Sequence, residues 1–194
     1  TVLSQSYNNN EYDTGYAPLA SVHKSIIDQN PQLITWTGRK PPLGNVDHWP
    51  NLLWMNNEDP LFNDRRVRWA ISYAINTTEL INNIWGGLGI PSKIPFSEFG
   101  IFQRYIDALA PLLEKYPVGV QDLEKSAALM TEAGWTKNAD GIWQKGDLVF
   151  KPNYGGFNAI YADIGPALCE QLTKAGFYTE YKEPPDLWQG PMSK

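Results

Sequence analysis

The stretch NNEDPLFNDRRVRWAISYAIN, residues 56–76, carries the strongest local pattern in the chain. Asn63 and Asp64 stand where a helix needs an N-cap, with side-chain oxygens that accept from the first free amides of a helix beginning at Arg65. From there Val67, Ala70, Ile71, Ala74 and Ile75 recur at three- and four-residue intervals, one apolar stripe on one helix face. Thr77 or Thr78 can cap a second helix, which Gly86-Gly87 ends. Immediately upstream, Leu52-Leu53-Trp54-Met55-Asn56 is an apolar run of strand length.

Toward the amino end, GRKPPLGNVDHWPN (38–51) is a proline- and glycine-rich connector, and Leu33-Ile34-Thr35-Trp36 reads as a short strand. Leu19, Val22, Ile26 and Ile27 give helical spacing over 18–28, stopped at Asn30-Pro31. Residues 1–16 are polar and without period, a loop or a lone strand. Toward the carboxyl end, GIPSKIPFSEFG (89–100) is an irregular loop, followed by helices expected over 106–116 and 121–133. Leu123, Ala127 and Met130 should line the buried face of the second, and Gly134 should close it. Asp140-Gly141 between short apolar runs is a hairpin signal. A strand at 148–150, a helix over 158–175 with Pro166 suited to a first turn, and a strand at 178–181 complete the pattern. Strands alternating with helices make the fold class α/β with a mixed sheet.

Composition excludes several functions. In 194 residues, 42% are hydrophobic, which is enough for a packed core, and the net charge of −5 leaves no basic footprint for nucleic acid. No apolar run approaches the length that spans a bilayer. No charged and apolar leader opens the chain at Thr1-Val2-Leu3, which leaves a removed export signal open. Cys169 is the single cysteine, flanked by Ala167, Leu168 and Leu172, and reads as core packing. His23 and His48 lack metal-ligand spacing, and no nucleophile elbow, phosphate loop or zinc motif is present. The acids Glu58, Asp59 and Glu98 read as solvated loop carboxylates and not as a glycosidase pair. Asn76-Thr77-Thr78 fits a glycosylation pattern, but helix capping accounts for it more simply.

What remains is aromatic: Trp36, Trp49, Trp54, Trp69, Trp85, Trp135, Trp143 and Trp188. An indole joins a flat apolar face to one donor and can cover a peptide side chain or stack on a sugar ring. Trp69 and Trp135 sit where packing is expected. Trp54 leads into the polar pair Asn56-Asn57, and Trp85 lies beside a glycine loop. Those residues, with Phe96, Phe99, Tyr154, Phe157 and Trp188, are the candidate ligand surface.

The 56–76 block, with Gly86-Gly87 after it, resembles the signature of family 5 extracellular solute-binding proteins, the peptide, nickel and oligosaccharide binders of ABC importers. Leu61-Phe62-Asn63-Asp64 and the run from Val67 to Asn76 occupy the places of the family's Pro-Phe-x-Asp and Val-Arg-x-Ala-x-x-x-Ala-Ile-Asp elements. DLEKSAALMTEAGWTKNADGIWQKGD (122–147) and the helix end Leu172-Thr173-Lys174-Ala175-Gly176-Phe177 resemble two further family blocks, in family order. Asn76-Thr77 and Leu61 depart from the pattern at helix boundaries. The resemblance implies an incomplete mixed-sheet lobe of a two-lobed, type II-like periplasmic binding protein. Residues 1–55 would end the first lobe and supply the crossover strand, and 56–194 would form much of the second. It also implies capture of a short peptide or oligosaccharide for an ABC permease, without cofactor, metal or catalysis, by a monomer in the periplasm or another extracytoplasmic space, where a lipid anchor on the full-length protein would fit. The competing reading is a carbohydrate-binding module or glycosidase-associated domain. Half a cleft should bind its solute weakly when isolated.

Overall fold

The computed structural model describes residues 2–15, 20–47, 50–155 and 163–182. In chain order the helices are α1 (Val2–Asn8), α2 (Ala20–Gln29), α3 (Arg65–Ala74) and α4 (Thr77–Trp85), then a 3-10 turn at Gly100–Phe102. They continue with α5 (Gln103–Ala108), α6 (Ala110–Lys115), α7 (Leu123–Glu132) and α8 (Ile164–Lys174). The strands are β1 (Thr136–Lys137), β2 (Trp143–Lys145), β3 (Leu148–Val149), β4 (Asn153–Gly155) and β5 (Glu180–Lys182).

Helix α3 begins where its sequence demands. The Asp64 carboxylate accepts from Arg66 N at 2.8 Å, and the Arg66 guanidinium returns to the same carboxylate at 2.7 Å. Arg68 reaches back to the carbonyls of Phe62 and Asn63 at 2.7 and 3.0 Å, which fastens the preceding turn to the helix. Buried Val67, Ala70, Ile71 and Ala74 form the stripe read from the sequence. Because Ala70 and Ala74 are small, α7 lies close against α3. The buried Ser126 hydroxyl donates to Ala70 O at 2.7 Å, and Asp122 N donates to Tyr73 O at 2.8 Å. The buried side of α7 holds the expected Met130, with Ala127 packed beside the core, and adds Ser126, while Leu123 is exposed. Asn76, and not Thr77 or Thr78, caps α4 by accepting from Glu79 N at 3.0 Å. Gly86 closes that helix at a φ of 56°, a left-handed conformation that glycine takes without steric cost.

The core continues as an aromatic cluster. Phe150 packs edge-on against Phe62, Trp135 and Phe177 at centroid distances of 5.7, 5.7 and 5.1 Å. Trp143 lies beside Phe177, and its indole N–H donates to Ala175 O at 3.0 Å. Trp135 is 2% exposed, in agreement with its expected packing role. Strands β1, β2 and β3 form an antiparallel meander. In its first turn the Asn138 side chain accepts from Asp140 N and Ile142 N, both at 3.0 Å. Strands β4 and β5 pair in parallel, with Tyr154 opposite Tyr181, and α8 lies between them in sequence. Gly165 permits the approach of α8 to β5, since a Cβ there would stand 2.3 Å from the Tyr181 ring. Gln171 clamps α8 to the start of α4, its amide oxygen accepting from Asn76 N at 2.9 Å.

Several expectations change. The single mixed sheet becomes two small ones, antiparallel and parallel, among the described residues. The helix expected over 106–116 divides into α5 and α6, because Pro111 has no N–H to give to Asp107 O. Residues 2–8 form a helix, held by Asn30, whose buried amide donates to Tyr7 O at 2.9 Å and to Asn10 Oδ1 at 2.8 Å. Residues 33–36 do not form a strand; Thr35 and Gly38 close a tight turn instead. Leu52–Asn56 has no strand partner among the described residues, though Leu53 and Met55 pack on the core.

The ion pair with Arg66 lowers the Asp64 carboxyl from its ordinary 3.8 to about 2. A depressed carboxylate contributes stability above its unfolded value, and that contribution disappears as pH falls from about 4 through 2. Asp64→Ala should destabilise by about 1 kcal/mol at neutral pH through loss of the cap. Asp64→Asn should keep the cap but flatten the acid limb. Urea unfolding of the three proteins between pH 7 and pH 2 checks both.

Candidate ligand-binding groove

Above α3 and α4 the surface opens into a groove of about 1840 Å³. One wall is Ile71, Ile75, Leu80, Ile81 and Trp85, carried by the two helices and by Ile75 just after α3, joined by Leu53 and Met55 of the preceding segment. The 88–99 loop, Tyr154 and Leu168 extend it. The opposite wall comes from the amino-terminal segment, with Tyr7, Tyr12, His23, Leu33, Ile34, Trp36 and Leu43. Aliphatic and aromatic side chains make up most of the lining, with polar groups such as Asp13, His23, Asn45, Asp47, Lys93 and Glu98 among them, the character of a site that buries apolar parts of a ligand. The 88–99 loop is braced where Glu98 accepts from Lys93 N at 2.6 Å and where the Ser97 hydroxyl donates to Asp47 O at 2.6 Å.

The candidate residues divide. Trp85, Phe99 and Tyr154 line the groove, and Tyr154 is steadied by Tyr181 at a ring distance of 5.8 Å. Trp54 is 76% exposed and Phe96 is exposed, and neither belongs to the groove wall. Asn56 accepts from Glu58 N at 3.0 Å and so shapes the turn before α3, while Asn57 is exposed beside it. Phe157 and Trp188 lie outside the described residues, as do His48 and Trp49. The sequence reading passed over Trp36 by assigning it to a strand. The signal that would have found it is Thr35-Trp36-Thr37-Gly38, two hydroxyl residues and a glycine around an indole, which is a turn composition. Trp69 packs as expected, stacked on Tyr116 at 5.8 Å.

The family model for bacterial extracellular solute-binding proteins, family 5 Middle, matches residues 1–192, and the chain belongs to that family. The oligopeptide-binding protein AppA of Bacillus subtilis is 30% identical over 132 residues, covering 62% of this chain and 22% of AppA. Its structure in complex with a nonapeptide aligns over 94% of this chain and 34% of that one, with a TM-score of 0.62 at 22% identity. A periplasmic oligopeptide-binding protein of Thermotoga maritima aligns over the same shares, 94% and 34%, with a TM-score of 0.76 at 17% identity. The mannohexaose-bound form of that protein gives 0.68 at 18% identity. The fold class is thus that of the family 5 periplasmic binding proteins, and the chain spans 22% of the AppA sequence and 34% of these solved chains.

Asp59 accepts from Leu61 N at 2.8 Å, a structural use in the turn before α3. Among the described residues no group of three or more His, Cys, Asp or Glu side chains is placed to hold a metal ion, and no helix is long and apolar enough to cross a membrane. Cys169 is buried on α8, and desolvation pushes its thiol up to about 11. At pH 8 only about one thiol in a thousand would then be ionised. Alkylation by iodoacetamide should run roughly a hundredfold or more slower in the folded protein than in the denatured chain, as mass spectrometry of timed samples will check.

Proposed function

We propose that the protein captures a short peptide in the groove and delivers it to the membrane permease of an ABC importer, working in the periplasm or another extracytoplasmic space. The observation that carries this reading is the apolar, aromatic-edged groove in a chain of the family 5 solute-binding proteins. A peptide brings apolar side chains that the aliphatic wall can cover. The nonapeptide held by AppA supports the same class of solute. In this reading residues 1–55 belong to one lobe and 56–194 to the other, and the ligand favours the closed state because only there does it touch both. Transport-linked binding, without catalysis, without a cofactor and by a monomer, completes the proposal.

A second reading, an oligosaccharide ligand, is favoured by the mannohexaose held by the Thermotoga protein and by the exposed indoles of Trp36 and Trp54. It is weakened by the other tryptophans. Trp135 and Trp143 are core residues and Trp69 is stacked on a tyrosine, so three of the eight tryptophans are structural.

A thermal-shift screen of the full-length protein separates the two. A ligand at a hundred times its Kd stabilises by about 2.7 kcal/mol, a shift of several degrees. A rise with short peptides and none with mannohexaose is expected. A rise with the oligosaccharide alone would overturn the peptide reading.

A further inference from the structure

We propose that Trp36 selects the ligand by covering an apolar side chain of the bound peptide with its indole face; this rests on the peptide reading of the groove. Trp36 is 85% exposed on the groove wall. A single exposed aromatic means little when its backbone is free to move. This one is held. Thr35 N donates to Gly38 O at 2.8 Å and Gly38 N returns to Thr35 O at 2.9 Å, so Trp36 and Thr37 form the tip of a closed two-residue turn. Gly38 takes a φ of 70°, which the turn requires and a side chain would resist. Behind the turn the Arg39 guanidinium donates to the carbonyls of Asn30, at 3.1 Å, and Leu33, at 2.7 Å, and also to Ile27 O. Three carbonyls from the end of α2 and the loop after it thus anchor the base of the turn. The indole is displayed on a braced scaffold, so little backbone freedom remains to be lost when a ligand covers it.

The turn also indicates what the indole covers. Stacking on a sugar ring leaves hydroxyls that need hydrogen-bonding partners around the aromatic face. The hydroxyls flanking Trp36 point into the turn: Thr35 Oγ1 donates to Gly38 O at 3.0 Å, and Thr37 Oγ1 donates to Lys40 O at 2.7 Å. The neighbouring groove residues Leu33, Ile34 and Leu43 are aliphatic. A leucine or phenylalanine side chain fits that aliphatic surface beside the indole.

The test uses the full-length protein, its Trp36→Ala and Trp36→Phe variants, and calorimetry with three probes. Two are uncharged-side-chain pentapeptides, one with Leu and Phe at its central positions and one with Ser and Gly; the third is mannohexaose. Trp36→Ala should weaken binding of the Leu/Phe peptide at least tenfold, with an unchanged thermal midpoint because the side chain packs little in the free protein. Trp36→Phe should lose less than threefold. Equal binding of the Leu/Phe peptide by wild type and Trp36→Ala would overturn the role of Trp36 and leave the peptide reading standing. Equal affinity of the wild type for both peptides would overturn selection. A wild-type protein that binds neither peptide, whether or not it binds mannohexaose, overturns the peptide reading itself.

Discussion

The seam between α3 and α7 is the contact on which the rest of the chain depends. Ala70 and Ala74 have no exposed surface, and Met130 and Ser126 fill the space opposite them. Close approach would strand a polar hydroxyl, but the Ser126 hydroxyl finds Ala70 O, so the seam is both tight and fully bonded. Everything downstream is referred to it. Helix α7 leads into the β1–β3 meander, whose aromatic residues meet Phe62 and Phe177, and α8 returns to α4 through Gln171. With those elements set, Ile71 of α3 and Leu80 of α4, core residues themselves, also border the groove.

That arrangement explains the family signature in physical terms. The residues of the 56–76 block act on the fold more than on a ligand. Asp64 caps, Arg66 holds the cap and also reaches Glu132 O at 2.9 Å, and Arg68 locks the turn before the helix. The block also lends Ile71 and Ile75 to the groove lining. The rest of the groove lining is drawn largely from less regular segments, the 33–47 stretch and the 88–99 loop.

The same division accounts for what could be read from the chain beforehand. Helix α3, the stop at Gly86, the hairpin at Asp140-Gly141 and the packing of Trp135 and Cys169 follow from spacing, capping and turn chemistry, which act over a few residues. The α1 helix escaped because its hold comes from Asn30, more than twenty residues away. On α7 the expected Met130 and Ala127 face the core, but Ser126 escaped notice because a polar residue is buried there through a bond to a carbonyl 56 residues back. Of the candidate site, Trp85, Phe99 and Tyr154 reach the groove, while Trp54 and Phe96 do not line it. Alternation along Leu53, Trp54 and Met55 turns the two flanking side chains to the core and the indole away, and a strand assignment alone could not say which face was which. Trp36 was hidden because an apolar run before it mimicked a strand, when the hydroxyls around it make a turn.

We propose that the helical seam is a fixed support and that a bound peptide meets the irregular walls of the groove. Hydrogen–deuterium exchange of the full-length protein, with and without its peptide, tests this most directly. The account predicts slowed exchange on binding in 33–47 and 88–99, with the already protected amides of α3 and α7 unchanged. Protection confined to the exposed apolar surface of α5 and α6, or absent from both groove segments, would contradict it.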